Sequence, residues 1–499
     1  MFRFRRQVYL DSNATTPVHR RVRRRMCRVL ATCYGNPSSL YRIARDAAGI
    51  LEASRQTVAR AVGAEAAQIL FTGSASEANN QVLKSFLHHP SGRTTLVSTP
   101  IEHPSVTKTL DYLREQGLRV VFCPLESSGR VELDALERLL DDDTLAICCM
   151  AANNEIGVVQ DLPSVIELAR RHDSLVMSDC VQALGKIPLD LKQLGLDYAI
   201  FSAHKIQGPK GVGALYARKG VPLTPLIHGG HQEEGLRAGT EGLHNIAGFA
   251  AACERVGKLL SASERIRVML QRLRDGIIDI LPSASFNSPL EGALPNTLSV
   301  TFPGFDNAEM IAFLDYHGIG ASAGSACNTH TNEASHVLKA IGLSEAAARQ
   351  TLRFSLCAET SSRHIEYVLK VLRDFLLRRK LPVLMVSPRQ LDESMLYNDN
   401  LFIVDIRHGY DRKLLKGLPN SHEAQAIILK KYLHVIPRDK DILIVCQGGT
   451  DGPIAAYYLR SKGFRRVSFV MGGLVAWKLF HPALYRQLAG SNISRLPEV

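Results

Sequence analysis

The chain has 499 residues, and 60 Lys and Arg against 48 Asp and Glu leave a formal charge of +12. Hydrophobic residues make up 45% and charged residues 22%, the balance of a folded globular protein, which excludes intrinsic disorder and fibrous folds. The length predicts several structural units; no apolar run suffices for a membrane span or a signal peptide, so a cytoplasmic location without membrane partners is expected.

The first 28 residues hold nine Arg and one Asp, six of the Arg in the cluster Arg20, Arg21, Arg23, Arg24, Arg25 and Arg28. No aromatic residues are interleaved for base stacking, which favours a solvated helix face over a nucleic-acid patch. The ten cysteines form no C-x-x-C pair, so neither a zinc site nor a dithiol redox motif is expected. Most read as small buried hydrophobes of a reducing compartment.

From about residue 68 to 218, β-branched apolar runs alternate with amphipathic stretches. Runs at 94–100, 119–125, 144–152, 174–179, 197–203 and 211–218 read as strands, and 131–140 and 162–172 as helices. That alternation predicts an α/β unit with a mainly parallel buried sheet. Residues 219–381 read as a mixed second region, with helical stretches at 248–280 and 361–378. After the basic turn Arg378-Arg379-Lys380-Leu381-Pro382 a new strand–helix pattern begins, at 401–407, 441–449, 452–462 and 467–473. Two domains are therefore expected, 1–381 and a smaller α/β unit at 382–499.

Three segments of the first domain carry chemistry. SAHKIQGPKGVG (202–213) places Lys205 just past a strand end, where α/β sheets bind ligands. VMSDCVQALG (176–185) places Asp179 at another strand end, and a buried acid there suits a protonated ring nitrogen. FTGSASEANN (71–80) brings small and hydroxyl residues into a helix start, a phosphate cradle. Lysine, acid and phosphate cup together describe a pyridoxal 5′-phosphate site.

With YLDSNATTPV (9–18), YGNPSS (34–39), IEHPSV (101–106), NNEIGVVQDL (153–162), RAGTE (237–241), GSACNT (324–329) and LRFSL (352–356), residues 8–381 resemble a cysteine desulfurase of the class V aminotransferase family. The resemblance implies the type I pyridoxal-phosphate fold, a large domain with a mainly parallel sheet and a smaller α+β domain. It implies that Lys205 bonds to the cofactor and later moves protons, and that His103 stacks on the ring and handles a proton. Asp179 would hold the ring nitrogen protonated, with Gln182 and Asn154 on the phenolic oxygen side. Ala75, Ser76, Ser202 and His204 would cradle the phosphate, Thr240 would reach the phosphate of a second subunit in a homodimer, and Arg353 would clamp the carboxylate of L-cysteine. Cys327 would take the substrate's sulfur as a persulfide. Its surroundings, GASAGSACNTHTNEASHVL (320–338), are small and polar and read as a mobile loop of the longer-loop group. Departures from the family pattern, at Tyr41, Ala44, Glu234, Gly242, Cys357 and Ala358, bear on subunit packing and partner contacts rather than on the chemistry.

In the second domain, LIVCQGGTDGPIAAYYL (443–459) is a strand, a cysteine, a glycine-rich turn and a helix. A helix N-terminus lowers a thiol's pKa. The segment is similar to the active loop of a rhodanese, with FIVDIR (402–407) and GFRRVSFVMGGLVAW (463–477) as further landmarks. The resemblance puts Cys446 at the persulfide-carrying position, and the fusion suggests a relay from Cys327 to Cys446 and on to a sulfur-acceptor protein, an iron–sulfur scaffold or a tRNA-thiolation enzyme, a choice the sequence leaves open. Asp451 and Gly452 stand where such loops often carry Arg and Ser, and the acid opposes thiolate formation. Two other readings stay open: a selenocysteine lyase or transaminase with a docking-only second domain, and an adaptor that binds tRNA through the N-terminal arginines.

Overall fold

The computed structural model describes residues 7–324, 334–378, 383–449 and 451–495. A short strand β1 (Val8–Tyr9) precedes the seven strands of the largest sheet. These are β2 (Ile69–Thr72), β3 (Thr95–Ser98), β4 (Arg119–Phe122), β5 (Thr144–Cys148), β6 (Leu175–Asp179), β7 (Tyr198–Ser202) and β8 (Gly213–Ala217). They lie in the order β2-β8-β7-β6-β5-β3-β4, and only β8 runs against its neighbours.

Side chains alternate along these strands, so each face meets its own core. Ile147, Val176 and Phe201 join Val165, Ile166 and Phe249 on one side. Cys148, Met177 and Ile200 join Val82 and Leu110 on the other. Both faces are covered, which is why the strands read as continuous apolar runs.

The mixed region adds β9 (Ser285–Phe286), β10 (Thr297–Thr301), β11 (Ile319–Gly320) and β12 (Thr351–Ser355). β12, β10 and β9 form an antiparallel sheet, while β11 pairs in parallel with β1. Helices Ser263–Ile280 and Ser362–Arg378 pack on that sheet through Leu273, Ile277, Ile365 and Val368. The expected helical stretch at 248–280 is three helices, Leu243–Cys253, Val256–Ser261 and Ser263–Ile280. Val256 belongs to the large-sheet core and Ile266 to the small-sheet core, so the chain changes direction as it crosses between them.

The last sheet contains β13 (Leu384–Val386), β14 (Leu401–Asp405), β15 (Ser421–Glu423), β16 (Asp441–Val445), β17 (Val467–Val470) and β18 (Ser494–Arg495), all parallel, in the order β13-β17-β16-β14-β15-β18. Ile442 and Ile444 face one core and Leu443 and Val445 the other. At the end of β14 a buried ion pair joins Asp405 to Arg407 at 2.7 Å, and Arg407 also donates to the Leu415 carbonyl and to Gln447. The six N-terminal arginines lie on the exposed face of helix Arg20–Thr32, whose buried residues are Val22 and Val29. Among the described residues no helix is long and apolar enough to cross a membrane.

Candidate active site

A cavity of about 410 Å³ opens at the carboxyl ends of the large-sheet strands, a size that suits a small-molecule site. Each strand end delivers its own residue. β7 ends at Ser202 and leads to His204 and Lys205, β6 ends at Asp179 with Gln182 beyond, and β5 leads to Asn154. His103 follows β3, and Ala75 and Ser76 open the helix Ala75–Ser85 after β2. Arg353 of β12 closes the far side. Ten of the residues singled out in the sequence therefore line one cavity. Thr240 is exposed and does not line it. Cys327 lies outside the described residues.

A hydrogen-bonded chain fixes the polar groups. The Ser105 amide donates to His103 Nδ1 at 3.1 Å, so a neutral ring carries its proton on Nε2. Asn79 donates to the Ser105 hydroxyl at 2.9 Å and to Asp179 Oδ2 at 3.0 Å, and the Val181 amide donates to Asp179 Oδ1. Burial, with the nearby Lys205 and His336, pushes the His103 ring below its ordinary pKa against the pull of Asp179. Burial, with Lys205 and Lys210, lowers His204 to about 4. Lys205 Nζ donates to the carbonyls of Asn13 at 2.5 Å and Ala14 at 2.9 Å.

Three members of this network, Asn79, Ser105 and Asn13, lay in the quoted motifs without being singled out, and a fourth, Lys186, directly follows VMSDCVQALG. Lys186 donates to Gln182 Oε1 and to Asn13 Oδ1, and burial together with Lys205 and Arg353 pushes its amine well below the usual lysine range. Glu102, beside His103, accepts from Thr99 and from the Met150 amide, and burial pushes its carboxyl up to about 8.

The residues fit pyridoxal 5′-phosphate. Asn79 Oδ1 and Arg353 Nε are buried without a protein partner. A Cβ at Gly213 would lie 2.7 Å from the Ser74 carbonyl carbon and 2.9 Å from the Ala75 amide nitrogen, so glycine lets that turn close on β8. Ser74 caps the Glu77 amide, leaving the amides of Ala75 and Ser76 at the helix start for an anion.

Arg353 Nη2 meets Asp11 at 2.7 Å and Nη1 donates to the Asn154 carbonyl at 3.0 Å. Its backbone exchanges hydrogen bonds with Ser322 at 2.7 and 3.2 Å. Ser335 donates to the buried Glu155 at 2.6 Å, and His336 Nε2 lies 3.0 Å from the Glu102 carbonyl. Residues 322 and 335 flank the segment that holds Cys327; the first is tied to Arg353 of the cavity lining and the second to Glu155, next to Asn154 of that lining.

Cys446 stands apart, after β16. It is buried, its Sγ accepts from the Gly449 amide at 3.1 Å, and a Cβ at Gly452 would lie 3.3 Å from that sulfur. The expectation of a lowered thiol pKa is corrected. Burial first, and the Asp451 charge after it, push the Cys446 thiol up, outweighing the amides of Gly452, Gly449 and Asp451. Asp451→Asn is expected to speed alkylation of Cys446 by iodoacetamide at neutral pH roughly threefold to tenfold, read by peptide mass spectrometry. An unchanged rate would show that burial alone controls this thiol.

The aminotransferase class-V family profile matches residues 8–368, and the rhodanese-like domain profile matches residues 387–479. Cysteine desulfurase IscS of Methanosarcina thermophila is 38% identical over 367 residues, covering 73% of this chain and 90% of its own. Cysteine desulfurase NifS of Azotobacter vinelandii is 36% identical over 365 residues, covering 73% and 91%. Among solved structures, a NifS-like protein superposes with a TM-score of 0.71 at 39% identity, covering 74% of this chain and 99% of its own. The structure titled SspA in complex with cysteine gives 0.63 at 34% identity, covering 71% and 100%. A lysine, an acid and a phosphate cup meeting at the sheet's carboxyl edge agree with these matches, and the chain belongs to the class V aminotransferase family, as a pyridoxal-phosphate-dependent cysteine desulfurase that carries a rhodanese-like domain.

Proposed function

We propose that the chain takes sulfur from L-cysteine, leaves L-alanine, holds the sulfur as a persulfide on Cys327 and passes it to Cys446 for delivery to sulfur-acceptor proteins. The observation that carries this reading is the pairing of Ser322 with Arg353 and of Ser335 with Glu155. The described flanks of the segment that holds Cys327 are thus tied to Arg353, the residue assigned to the substrate carboxylate, and to Glu155. The relative solved with cysteine supports the choice of substrate.

Bound pyridoxal 5′-phosphate supplies an electron sink for chemistry at the substrate Cα and Cβ. Around it the tasks divide among the residues of the cavity. Lys205 holds the cofactor through its amine and moves the proton at Cα. His103, its Nδ1 occupied, handles a proton at Nε2 and stacks on the ring. Asp179, held by Asn79 and the Val181 amide, keeps the ring nitrogen protonated. Gln182 and Asn154 address the phenolic oxygen. Ala75, Ser76, Ser202 and His204 hold the phosphate, and the exposed Thr240 reaches the phosphate of a second subunit in a homodimer. Arg353 grips the carboxylate through its planar fork. The Asp451 charge beside Cys446 repels a small anionic donor, which favours sulfur accepted from a persulfide within the protein. The acceptor fits an iron–sulfur scaffold or a tRNA-thiolation enzyme, either of which takes persulfide sulfur.

The test is peptide mass spectrometry of the loaded protein after a brief L-cysteine pulse, with Cys327→Ser and Cys446→Ser alongside. Sulfur on both cysteines, with Cys446 labelling lost in Cys327→Ser, is the expected result. Sulfur on Cys327 alone would reduce the second domain to docking. Alanine formation that survives Cys327→Ser would overturn the mechanism.

A further inference from the structure

The main contact between the class-V unit and the rhodanese-like unit is made by two helices, Asn307–Tyr316 and Asp451–Ser461. Tyr457 sits against Phe313, with ring centroids 5.3 Å apart and planes at 75°, and against Tyr316 at 6.1 Å and 34°. Its hydroxyl donates to the Glu309 carbonyl at 3.5 Å. Phe313 in turn rests on Phe375 at 5.0 Å and His317 at 4.7 Å, which backs the contact with the small-sheet core. Edge-on aromatic pairs of this kind add attraction beyond the area they bury.

The contact has a direction. At one end Asp315 faces Asp451, and burial together with that charge raises the Asp315 carboxyl. Asp451 opens the helix whose preceding turn carries Cys446. The Cys446 turn therefore lies by the carboxyl end of helix Asn307–Tyr316. From that end the chain continues through β11 to Ser322, whose backbone pairs with Arg353. The path from Asp315 to Ser322 spans at most about 25 Å even fully extended.

We infer that helix Asn307–Tyr316 is the dock on which the chain's own rhodanese-like domain receives sulfur, so that Cys446 is loaded within one chain and not from a second copy. This rests on the relay reading above. The Cys446 sulfur attacks the outer sulfur of the Cys327 persulfide. The S–S bond to Cys327 breaks as one to Cys446 forms, and the thiol proton of Cys446 ends on Cys327. The exchange is redox-neutral and needs no added reagent. Docking in the same chain keeps the acceptor at high local concentration whatever the protein concentration.

The decisive experiment pairs a Cys327→Ser chain with a Cys446→Ser chain under two different tags, co-expressed, purified by both and pulsed with L-cysteine. In that assembly the only donor and the only acceptor sit on different chains. Cys327 of the Cys446→Ser chain is expected to gain sulfur, while Cys446 of the Cys327→Ser chain gains at least tenfold less than in wild-type protein within the same pulse. Equal labelling in the mixed assembly would overturn the inference and leave the relay standing. Wild-type protein that never labels Cys446 would sink the relay itself. Should the two chains not co-purify, the same comparison runs on their dilute equimolar mixture, with the same two readings. Tyr457→Ala is the companion variant: L-alanine formation in the presence of dithiothreitol is expected to hold at the wild-type rate while labelling of Cys446 slows about tenfold. Wild-type labelling in Tyr457→Ala would equally overturn the inference.

Discussion

Lys205→Ala is expected to lower L-alanine formation from L-cysteine by at least about 10³-fold, because in the proposed mechanism one side chain supplies both the covalent hold on the cofactor and the proton carrier at Cα. Lys205 sits at the end of β7, with its amine 2.5 and 2.9 Å from the carbonyls of Asn13 and Ala14. Those contacts are polar and local, so removing them leaves the sheet cores untouched and the melting temperature is expected to shift by only a few degrees. Lys205→Arg separates chemistry from architecture. It keeps a cation facing the two carbonyls but offers no amine that can bond to the cofactor. Activity lost in both variants, together with loss of the cofactor's lysine-bound absorbance, is the expected pattern. Activity retained in Lys205→Arg would make this residue structural and move the catalytic amine elsewhere.

Arg353→Lys is expected to lower kcat/KM for L-cysteine by about 10- to 100-fold, mostly through KM, and Arg353→Ala by about 10²- to 10³-fold. A carboxylate gripped by a guanidinium fork gains charge-assisted hydrogen bonds of about 1.5–3 kcal/mol each, and these are equally present before and during reaction. Lysine restores the charge without the fork. The alanine variant also strips Asp11 of its ion pair and the Asn154 carbonyl of its donor, so a stability loss of about 2–3 kcal/mol should accompany it. Steady-state kinetics beside thermal unfolding separates the two effects. An unchanged KM in Arg353→Lys would remove Arg353 from the substrate site.

The network around His103 shows where sequence reading stops. FTGSASEANN and IEHPSV pointed to a candidate phosphate cup and a candidate stacking histidine, yet Asn79 and Ser105, which link that histidine to Asp179, sit in the same motifs as ordinary polar residues. Nothing in their spacing says that two helix starts, after β2 and β3, converge on the end of β6. Lys186 is similar: it follows VMSDCVQALG as one lysine among many, and only its burial beside Asn13, Gln182 and Lys205 makes it part of the site. Cys446 is the sharper lesson. Its place before a helix implied a low-pKa thiol, but burial of the sulfur, and the charge of Asp451 after it, reverse the direction.

The amino-acid sequence alone determined the α/β class and the order of the motifs, and it put forward the two-part organisation and the candidate chemistry-bearing residues. Those features are local: they follow from apolar periodicity, from strand ends running into turns, and from short segments whose residues act close to where they stand. The tertiary structure alone decided which of those residues share a cavity, how their protons are held, and that the flanks of the Cys327 segment are tied to Arg353 and Glu155. It also decided that Tyr457 of the last domain meets Phe313 of the first. Such contacts join positions tens to hundreds of residues apart, and the burial that shifts a pKa belongs to the packed assembly and not to any stretch of chain.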